Sequence, residues 1–80
     1  MKVLIEVTMP FAANGEPYED KFIESLDWLE SQHGKGTWYQ RELVSGDVWG
    51  YRMSMAHKTF VIGFSNPDHA VMYKLMWGGQ

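Results

Sequence analysis

The chain has 80 residues, the size of one domain with a single core, and it contains no cysteine, which excludes disulfides and thiolate metal sites. Its net charge is −3, but residues 16–30 hold six acidic side chains against the single basic residue Lys21, a local charge of −5. No segment is apolar over the roughly 18 residues that a membrane span requires. We therefore expect a soluble, cytoplasmic protein, with residues 1–80 forming one domain and no contact with a membrane.

The first half of the chain predicts a strand, a loop and a helix. Residues 2–9 alternate between apolar and other side chains as a half-buried strand does. The Asn14-Gly15 pair indicates a loop. A helix is predicted from Pro17 to His33, because Gly34 is a suitable stop. The apolar stripe that should cover the sheet consists of Tyr18, Phe22, Leu26 and Leu29.

The second half predicts three strands and a second helix. The strands are predicted over 37–44, 48–55 and 59–64, the first two joined as a hairpin across Ser45-Gly46-Asp47. The helix is predicted to begin after Asn66, a good N-cap residue, with Pro67 at its first position and Gly78 as its stop.

This order, β-α-β-β-β-α, predicts an α+β domain of two layers. A mainly antiparallel four-stranded sheet would carry both helices on one face. The opening strand-helix-strand unit could form a right-handed crossover, which would introduce one parallel pair. The arrangement is a relative of the ferredoxin-like fold that lacks its last strand.

The C-terminal helix is apolar on most of its surface. At about 100° per residue, its six large apolar side chains cover an arc of about 240°, more than one sheet can bury. Either its methionines or Tyr73 and Trp77 must therefore contact something else. The apolar residues expected at a partner or dimer contact are Trp28, Met72, Met76 and Trp77.

The first helix carries the acidic residues on one side. Five of them fall within a sector of about 100°, and Glu24 lies just beyond its edge. One interpretation is a solvated surface that keeps the protein in solution; the other is an electrostatic contact for a basic partner protein. The acidic residues are Glu16, Glu19, Asp20, Glu24, Asp27 and Glu30.

Aromatic residues along the central strands suggest a stacking surface as a further possibility. The rings that could stack on bases are Trp38, Tyr39, Trp49 and Tyr51. The segment from Phe60 to Ala70 resembles the RNA-recognition-motif family, in which closely spaced aromatics on a strand lead into a helix. Lys58-Thr59 replaces the basic-glycine start of that motif, and the chain is acidic, so this pattern argues against binding to nucleic acid.

No residue pattern indicates catalysis or a cofactor. The three histidines lack the paired spacing of metal-binding motifs, and Ser65 is not set in a nucleophile turn. We expect no enzyme activity, no catalytic residue, no cofactor and no metal site.

The segment from Phe60 to Trp77 resembles the ending of small accessory proteins of tailed bacteriophages. In those proteins an aromatic strand runs into an Asp/Asn-Pro-x-x-Ala cap and an aromatic-Lys-Leu-x-Trp helix, and this segment has the cap as Asn-Pro-Asp-His-Ala. The resemblance covers about a quarter of the chain and implies a phage accessory protein, a class that often binds and inhibits a host enzyme or defence complex.

These observations leave three functional hypotheses. The first is a non-enzymatic protein-binding module, phage-encoded and active in the bacterial host cytoplasm, which binds a basic protein surface through its acidic helix and exposed aromatics. The second is a structural or assembly protein that forms a homo-oligomer, such as a homodimer, through its apolar C-terminal helix. The third is single-stranded nucleic-acid binding on the aromatic sheet face.

Overall fold

The computed structural model of the protein describes residues 5–40 and 48–77. These residues form an α+β fold with a four-stranded sheet and two helices, which confirms the predicted fold class at that level. The strands are β1 (Ile5–Pro10), β2 (Ala12–Ala13), β3 (Glu16–Pro17), β4 (Thr37–Trp38), β5 (Trp49–Ser54) and β6 (Thr59–Phe64). The helices are α1 (Glu19–His33) and α2 (Pro67–Trp77).

The main sheet has the strand order β1-β6-β5-β4 and is mixed. Strand β6 pairs antiparallel with β1 on one side and with β5 on the other, whereas β4 pairs parallel with β5. The ferredoxin-like order is therefore matched only in part. Strand β1 forms one edge of the sheet and the two-residue strand β4 forms the other.

The predicted antiparallel hairpin between the second and third strands is wrong. Thr37 lies opposite Gly50 in a parallel register, so both segments run in the same direction. The indole N–H of Trp49 donates to the Gly34 carbonyl at 2.8 Å, and the indole ring occupies the space where a Gly36 side chain would be. This contact holds residues 34–36, which lead into β4, beside the start of β5. The predicted turn, Ser45-Gly46-Asp47, lies outside the described residues.

The predicted loop before α1 contains a short β-hairpin. Strands β2 and β3 pair antiparallel across Asn14 and Gly15, whose φ angles are 55° and 80°. Two successive positive φ angles identify a type I′ turn, for which Asn-Gly is the preferred sequence. Pro17 consequently ends β3, and α1 begins at Glu19 rather than at Pro17.

Both helices lie on the same face of the main sheet. The ring of Phe22 on α1 stacks on Phe60 of β6 at a centroid distance of 4.2 Å, and Tyr73 on α2 packs against Phe64 of β6 at 5.7 Å. Phe60 and Phe64 are four residues apart on one strand and so point to one face. The core lies between this face and the helices.

A buried hydrogen-bond chain joins the two helices. The Ser25 hydroxyl donates to the Phe22 carbonyl at 2.6 Å, so it accepts from the Tyr73 hydroxyl, whose oxygen is 2.9 Å away. Ser25 and Tyr73 are both fully buried. Each hydroxyl therefore has the partner that a buried polar group requires.

The start of α2 agrees with the sequence prediction. The Asn66 side-chain oxygen accepts the backbone N–H of Asp68 at 2.9 Å, as an N-cap does. The helix begins at Pro67 and is described up to Trp77. The predicted stop at Gly78 lies outside the described residues.

Candidate functional site

The predicted acidic residues form an exposed surface, the acidic face, along α1 and the strand before it. Its members are Glu16, Glu19, Asp20, Glu24, Asp27 and Glu30, and every one of them is exposed. Glu16, which the prediction grouped with the helix face at helical pitch, belongs to β3. The face is therefore one helix side with a single strand residue at its end.

Within residues 5–40 and 48–77, no basic side chain forms an ion pair with the acidic face. Lys21 is the only basic residue within residues 16–30, and its ammonium lies 5.4 Å from the centre of the Tyr18 ring instead. Asp27 has Glu24 three residues before it and Glu30 three residues after it, the spacing at which helix side chains are neighbours. Like charges thus remain side by side without neutralisation in this part of the chain.

An apolar groove opens beside the start of the acidic face. It has a volume of about 510 Å³ and lies between the first turn of α1, the end of β5 and the start of β6. Its walls include Phe11, Ile23, Met53, Met55 and Phe60, and Glu19 places one carboxylate at its margin. Met55 is 72% exposed there. An apolar side chain with a neighbouring positive charge suits such a groove.

The second candidate surface is the apolar face of α2, formed by Val71, Met72, Leu75 and Met76. All four are exposed, and Leu75 is 81% exposed. The buried positions of the helix are Ala70 and Tyr73. Of the two alternatives for this helix, the structure therefore shows the methionines turned outward and Tyr73 turned into the core.

The two tryptophans assigned to a partner contact lie against each other. Trp28 on α1 and Trp77 on α2 meet edge to face at a centroid distance of 6.3 Å, and both are half-buried. They fill the crevice between the helices. Most of the surface of each tryptophan ring is therefore buried within the protein. Met72 and Met76, which were assigned to the same partner contact, are exposed.

The four rings proposed for stacking do not share one surface. Trp38 is exposed, Tyr51 is half-buried, and Tyr39 and Trp49 are buried. Trp49 points to the helices, whereas Tyr39 covers Gly63 on the opposite face of the sheet. Trp38, Tyr51 and Trp49 lie on the helix side of the sheet and contact one another in series, at centroid distances of 5.8 Å and 6.3 Å. Because only Trp38 of these three is exposed and Tyr39 lies on the other face, the four rings form no open stacking platform.

The face of the sheet opposite the helices carries a small polar network. The Tyr39 hydroxyl donates to the Glu6 carboxylate at 3.1 Å, and an Arg52 guanidinium nitrogen donates to the same oxygen at 3.2 Å. Burial raises the pKa of Tyr39, and the nearby Glu6 charge acts in the same direction. The Tyr39 hydroxyl therefore stays protonated, which keeps it a donor to Glu6.

Two histidines join the C-terminal end of α1 to the N-terminal end of α2. The His33 ring at the end of α1 stacks on the His69 ring at the start of α2, with centroids 3.9 Å apart. Burial lowers the pKa of His33, and the neighbouring His69 lowers it further. In the described part of the chain, no group of three or more His, Cys, Asp or Glu side chains could hold a metal ion.

None of the helices in residues 5–40 and 48–77 is long and apolar enough to cross a membrane. Comparison of the chain with protein families, with curated proteins and with solved structures found no match.

Proposed function

We propose that this protein is a non-enzymatic binding module that attaches to a basic surface of another protein through its acidic face. The observation that carries the proposal is the set of six exposed carboxylates, none of them paired with a basic side chain within the described residues. A surface of one charge sign raises the association rate with an oppositely charged partner and disfavours wrong partners.

The apolar groove supports the same role. Charge complementarity mainly sets rate and specificity, while affinity comes from a few buried anchors. Glu19 belongs to both the acidic face and the groove, so a partner side chain seated near Met53 would bring its basic neighbours against the carboxylates. The favoured partner is a protein that presents an apolar anchor among basic residues.

The resemblance of the C-terminal segment to phage accessory proteins supplies the biological setting for this proposal. In that setting, the partner is a host enzyme or defence complex, and the protein inhibits it by occupying its basic surface in the host cytoplasm. An acidic protein surface can take the place of a nucleic acid in a basic channel, because both present closely spaced negative charges.

The test uses two charge reversals of equal size at different places. After affinity capture of the partner from a host lysate, binding is measured for Asp27→Lys on the acidic face and for Asp68→Lys on α2. We expect Asp27→Lys to weaken binding about tenfold, or about 1.4 kcal/mol, and to reduce its salt dependence. Asp68→Lys should change affinity less than about threefold.

Equal losses in the two variants would show that net charge alone matters, and no loss in Asp27→Lys would remove the acidic face from the contact.

A second candidate function, an assembly role as a homo-oligomer, is favoured by the exposed apolar face of α2. This role does not need the acidic face, so the two can be tested separately.

A further inference from the structure

Most of the exposed large apolar side chains belong to two surfaces. Among residues 5–40 and 48–77, nine such side chains are exposed. Three of them, Ile23, Met53 and Met55, line the apolar groove beside the first turn of α1. Four others form the apolar face of α2. Contiguous apolar surfaces of this kind are typical of interaction sites, so both surfaces call for a contact.

The two surfaces have complementary shapes. The groove is concave, with a volume of about 510 Å³, and the rings of Phe11 and Phe60 are part of its lining. The apolar face of α2 is convex, and its most prominent side chain, Leu75, is 81% exposed. Val71 and Leu75 are four residues apart, the spacing at which a helix places successive anchors in an apolar groove. Helix α2 is therefore the kind of ligand that such a groove accepts.

One copy cannot bring its own two surfaces together. Tyr73 packs on Phe64 and so fixes α2 above the end of β6. The groove lies at Phe60, four residues earlier on the same strand, which corresponds to about 13 Å. At 100° per residue, Val71 and Leu75 lie about 160° from Tyr73 in opposite senses, so they point away from the sheet. A contact between the groove and the α2 face must therefore join two copies.

The charges beside the two surfaces are opposite in sign. Glu19 places a carboxylate at the margin of the groove, and Lys74 immediately precedes Leu75 on α2. Asp68, the acidic residue of α2, lies about 9 Å from Lys74 along the helix axis. With Leu75 in the groove, Lys74 can therefore face Glu19 while Asp68 stays away from it. An exposed ion pair adds little affinity, so this pair sets the orientation and the apolar side chains provide the binding energy.

The area available fits reversible association. The exposed side chains of the groove and of the α2 face, with the residues at their margins, amount to on the order of 1,000 Å² for one contact, the lower limit for a specific interface. Each copy has both surfaces, and a contact between unlike surfaces leaves one of each uncovered on the resulting pair. Association should therefore continue beyond the dimer.

We propose that copies of this chain associate head to tail, with the apolar face of α2 in one copy seated in the apolar groove of the next. Leu75 is the central anchor, and Lys74 faces Glu19 across the contact. With three side chains from the groove and four from α2, this contact covers seven of the nine exposed large apolar side chains. The inference rests on the second candidate function, assembly, and not on binding of a basic partner.

Two variants that each disable one surface test the arrangement. Leu75→Glu disables the α2 face and keeps the groove, whereas Met55→Glu disables the groove and keeps the face. Both replace a highly exposed side chain, so folding should be unchanged, which circular dichroism checks. In sedimentation over about 1–300 μM, the unchanged protein should associate beyond the dimer with a dissociation constant of about 1–50 μM per contact. Each variant alone should associate at least tenfold more weakly.

The matched control is Trp38→Glu, which places the same charge at an exposed apolar position outside both surfaces. It should associate as the unchanged protein does. A monomer of the unchanged protein at 300 μM, a plateau at the mass of a dimer, or equal weakening in the control would overturn the proposal.

An equimolar mixture of Leu75→Glu and Met55→Glu is the decisive measurement. The intact α2 face of Met55→Glu should enter the intact groove of Leu75→Glu, and the resulting dimer has no working surface left for growth. Its dissociation constant should lie within about threefold of that of the unchanged protein. A mixture that stays monomeric would overturn the proposal. Dimers of Met55→Glu alone would also overturn it, because they would show that α2 packs on α2 of the other copy.

Cross-linking locates the contact directly. Because the chain has no cysteine, Met55→Cys and Leu75→Cys each carry a single thiol. In a mixture, a short bismaleimide should link one variant to the other, and a mass tag on one of them distinguishes these products from self-linked pairs. Mainly self-linked pairs would contradict the head-to-tail contact. All these measurements use the purified protein and alter no carboxylate, so their failure leaves the acidic-face proposal standing.

Discussion

The two helices cover the same face of the sheet, but their outer surfaces are opposite in character. Helix α1 buries Phe22, Ser25 and Leu29 and exposes carboxylates. Helix α2 buries only Ala70 and Tyr73 and exposes four large apolar side chains. The outer surface of α1 is suited to water or a basic partner, whereas that of α2 is suited to an apolar contact. Burial in the core therefore accounts for most apolar residues of α1, with Ile23 exposed at the groove, but not for the four exposed ones of α2.

The largest expected effect comes from two leucines that occupy opposite environments. Leu29 on α1 is fully buried and Leu75 on α2 is 81% exposed. Leu29→Ala should lower the free energy of unfolding by about 3 kcal/mol, because it removes buried methyl groups and leaves a cavity. Leu75→Ala should change it by less than about 0.5 kcal/mol. Urea unfolding at sub-micromolar protein, where a dimer does not contribute, gives both values. A large loss in Leu75→Ala would show that α2 is covered within one chain.

The link between the helices provides the next prediction. Ser25→Ala leaves the buried Tyr73 hydroxyl without its acceptor and should cost about 2 kcal/mol. Tyr73→Phe should cost less, about 1 kcal/mol, since the Ser25 hydroxyl keeps its donation to the Phe22 carbonyl. Urea unfolding of the two variants decides the order. A larger loss in Tyr73→Phe would mean that the direction of the hydrogen bond is reversed.

The histidine pair at the helix ends predicts a fall in stability with acid. The pKa of His33 is lowered from its ordinary value of 6.5 by burial and by His69, so the unfolded chain binds the proton more readily. As the pH falls below about 6.5, this group therefore favours unfolding, and the contribution is complete below its folded pKa. The melting temperature should drop less between pH 7.5 and 5.5 in His33→Gln than in the unchanged protein. The same drop in both would assign the pH dependence to other groups.

Local chemistry was the part of the fold that sequence could predict. The Asn66-Pro67-Asp68 start of α2 is a cap whose geometry depends only on neighbouring residues, and it is present as expected. The four-stranded α+β architecture also followed from strand and helix periodicity. The Asn14-Gly15 turn was available from the same kind of signal, but the flanking strands have only two residues each and carry too little alternation to indicate a hairpin.

The parallel pairing of β4 could not be predicted from local pattern. It depends on contacts between distant residues: Trp49 lies against Gly36 and bonds to Gly34, and Tyr39 covers Gly63. In both cases a large ring fills the space left by a glycine on another segment. The periodicity of one segment contains no information about which glycine in another segment it will cover.

The candidate surfaces were also predictable only in part, because the exposure of an apolar side chain depends on contacts between distant residues. Charged helix positions are almost always exposed, so the members of the acidic face could be named from sequence, although Glu16 was grouped with the helix face and lies on β3. The apolar arc of α2 could be recognised from sequence, but its buried part could not be told from its exposed part. Which side is buried depends on Ala70, whose small size allows the helix to approach the sheet, and on the Tyr73 hydroxyl bond to Ser25.

The smallest expected effect concerns the acidic face and distinguishes its two interpretations. Asp27 lies at i+3 from Glu24 and at i−3 from Glu30, so two like-charge pairs on α1 each disfavour the helix by a few tenths of a kcal/mol. Asp27→Lys converts both into attractive pairs and should raise the free energy of unfolding by about 0.5 kcal/mol, less at high salt.

The matched reversal on α2 should act in the opposite direction. Asp68 lies in the first turn, where a negative charge is favoured, so Asp68→Lys should lower the free energy of unfolding by about 0.5 kcal/mol. If Asp27→Lys is more stable than the unchanged protein yet binds its partner more weakly, the carboxylate cluster lowers stability in exchange for binding, as functional sites often do. If Asp27→Lys gains stability and binds equally well, the acidic face is a solvated surface only.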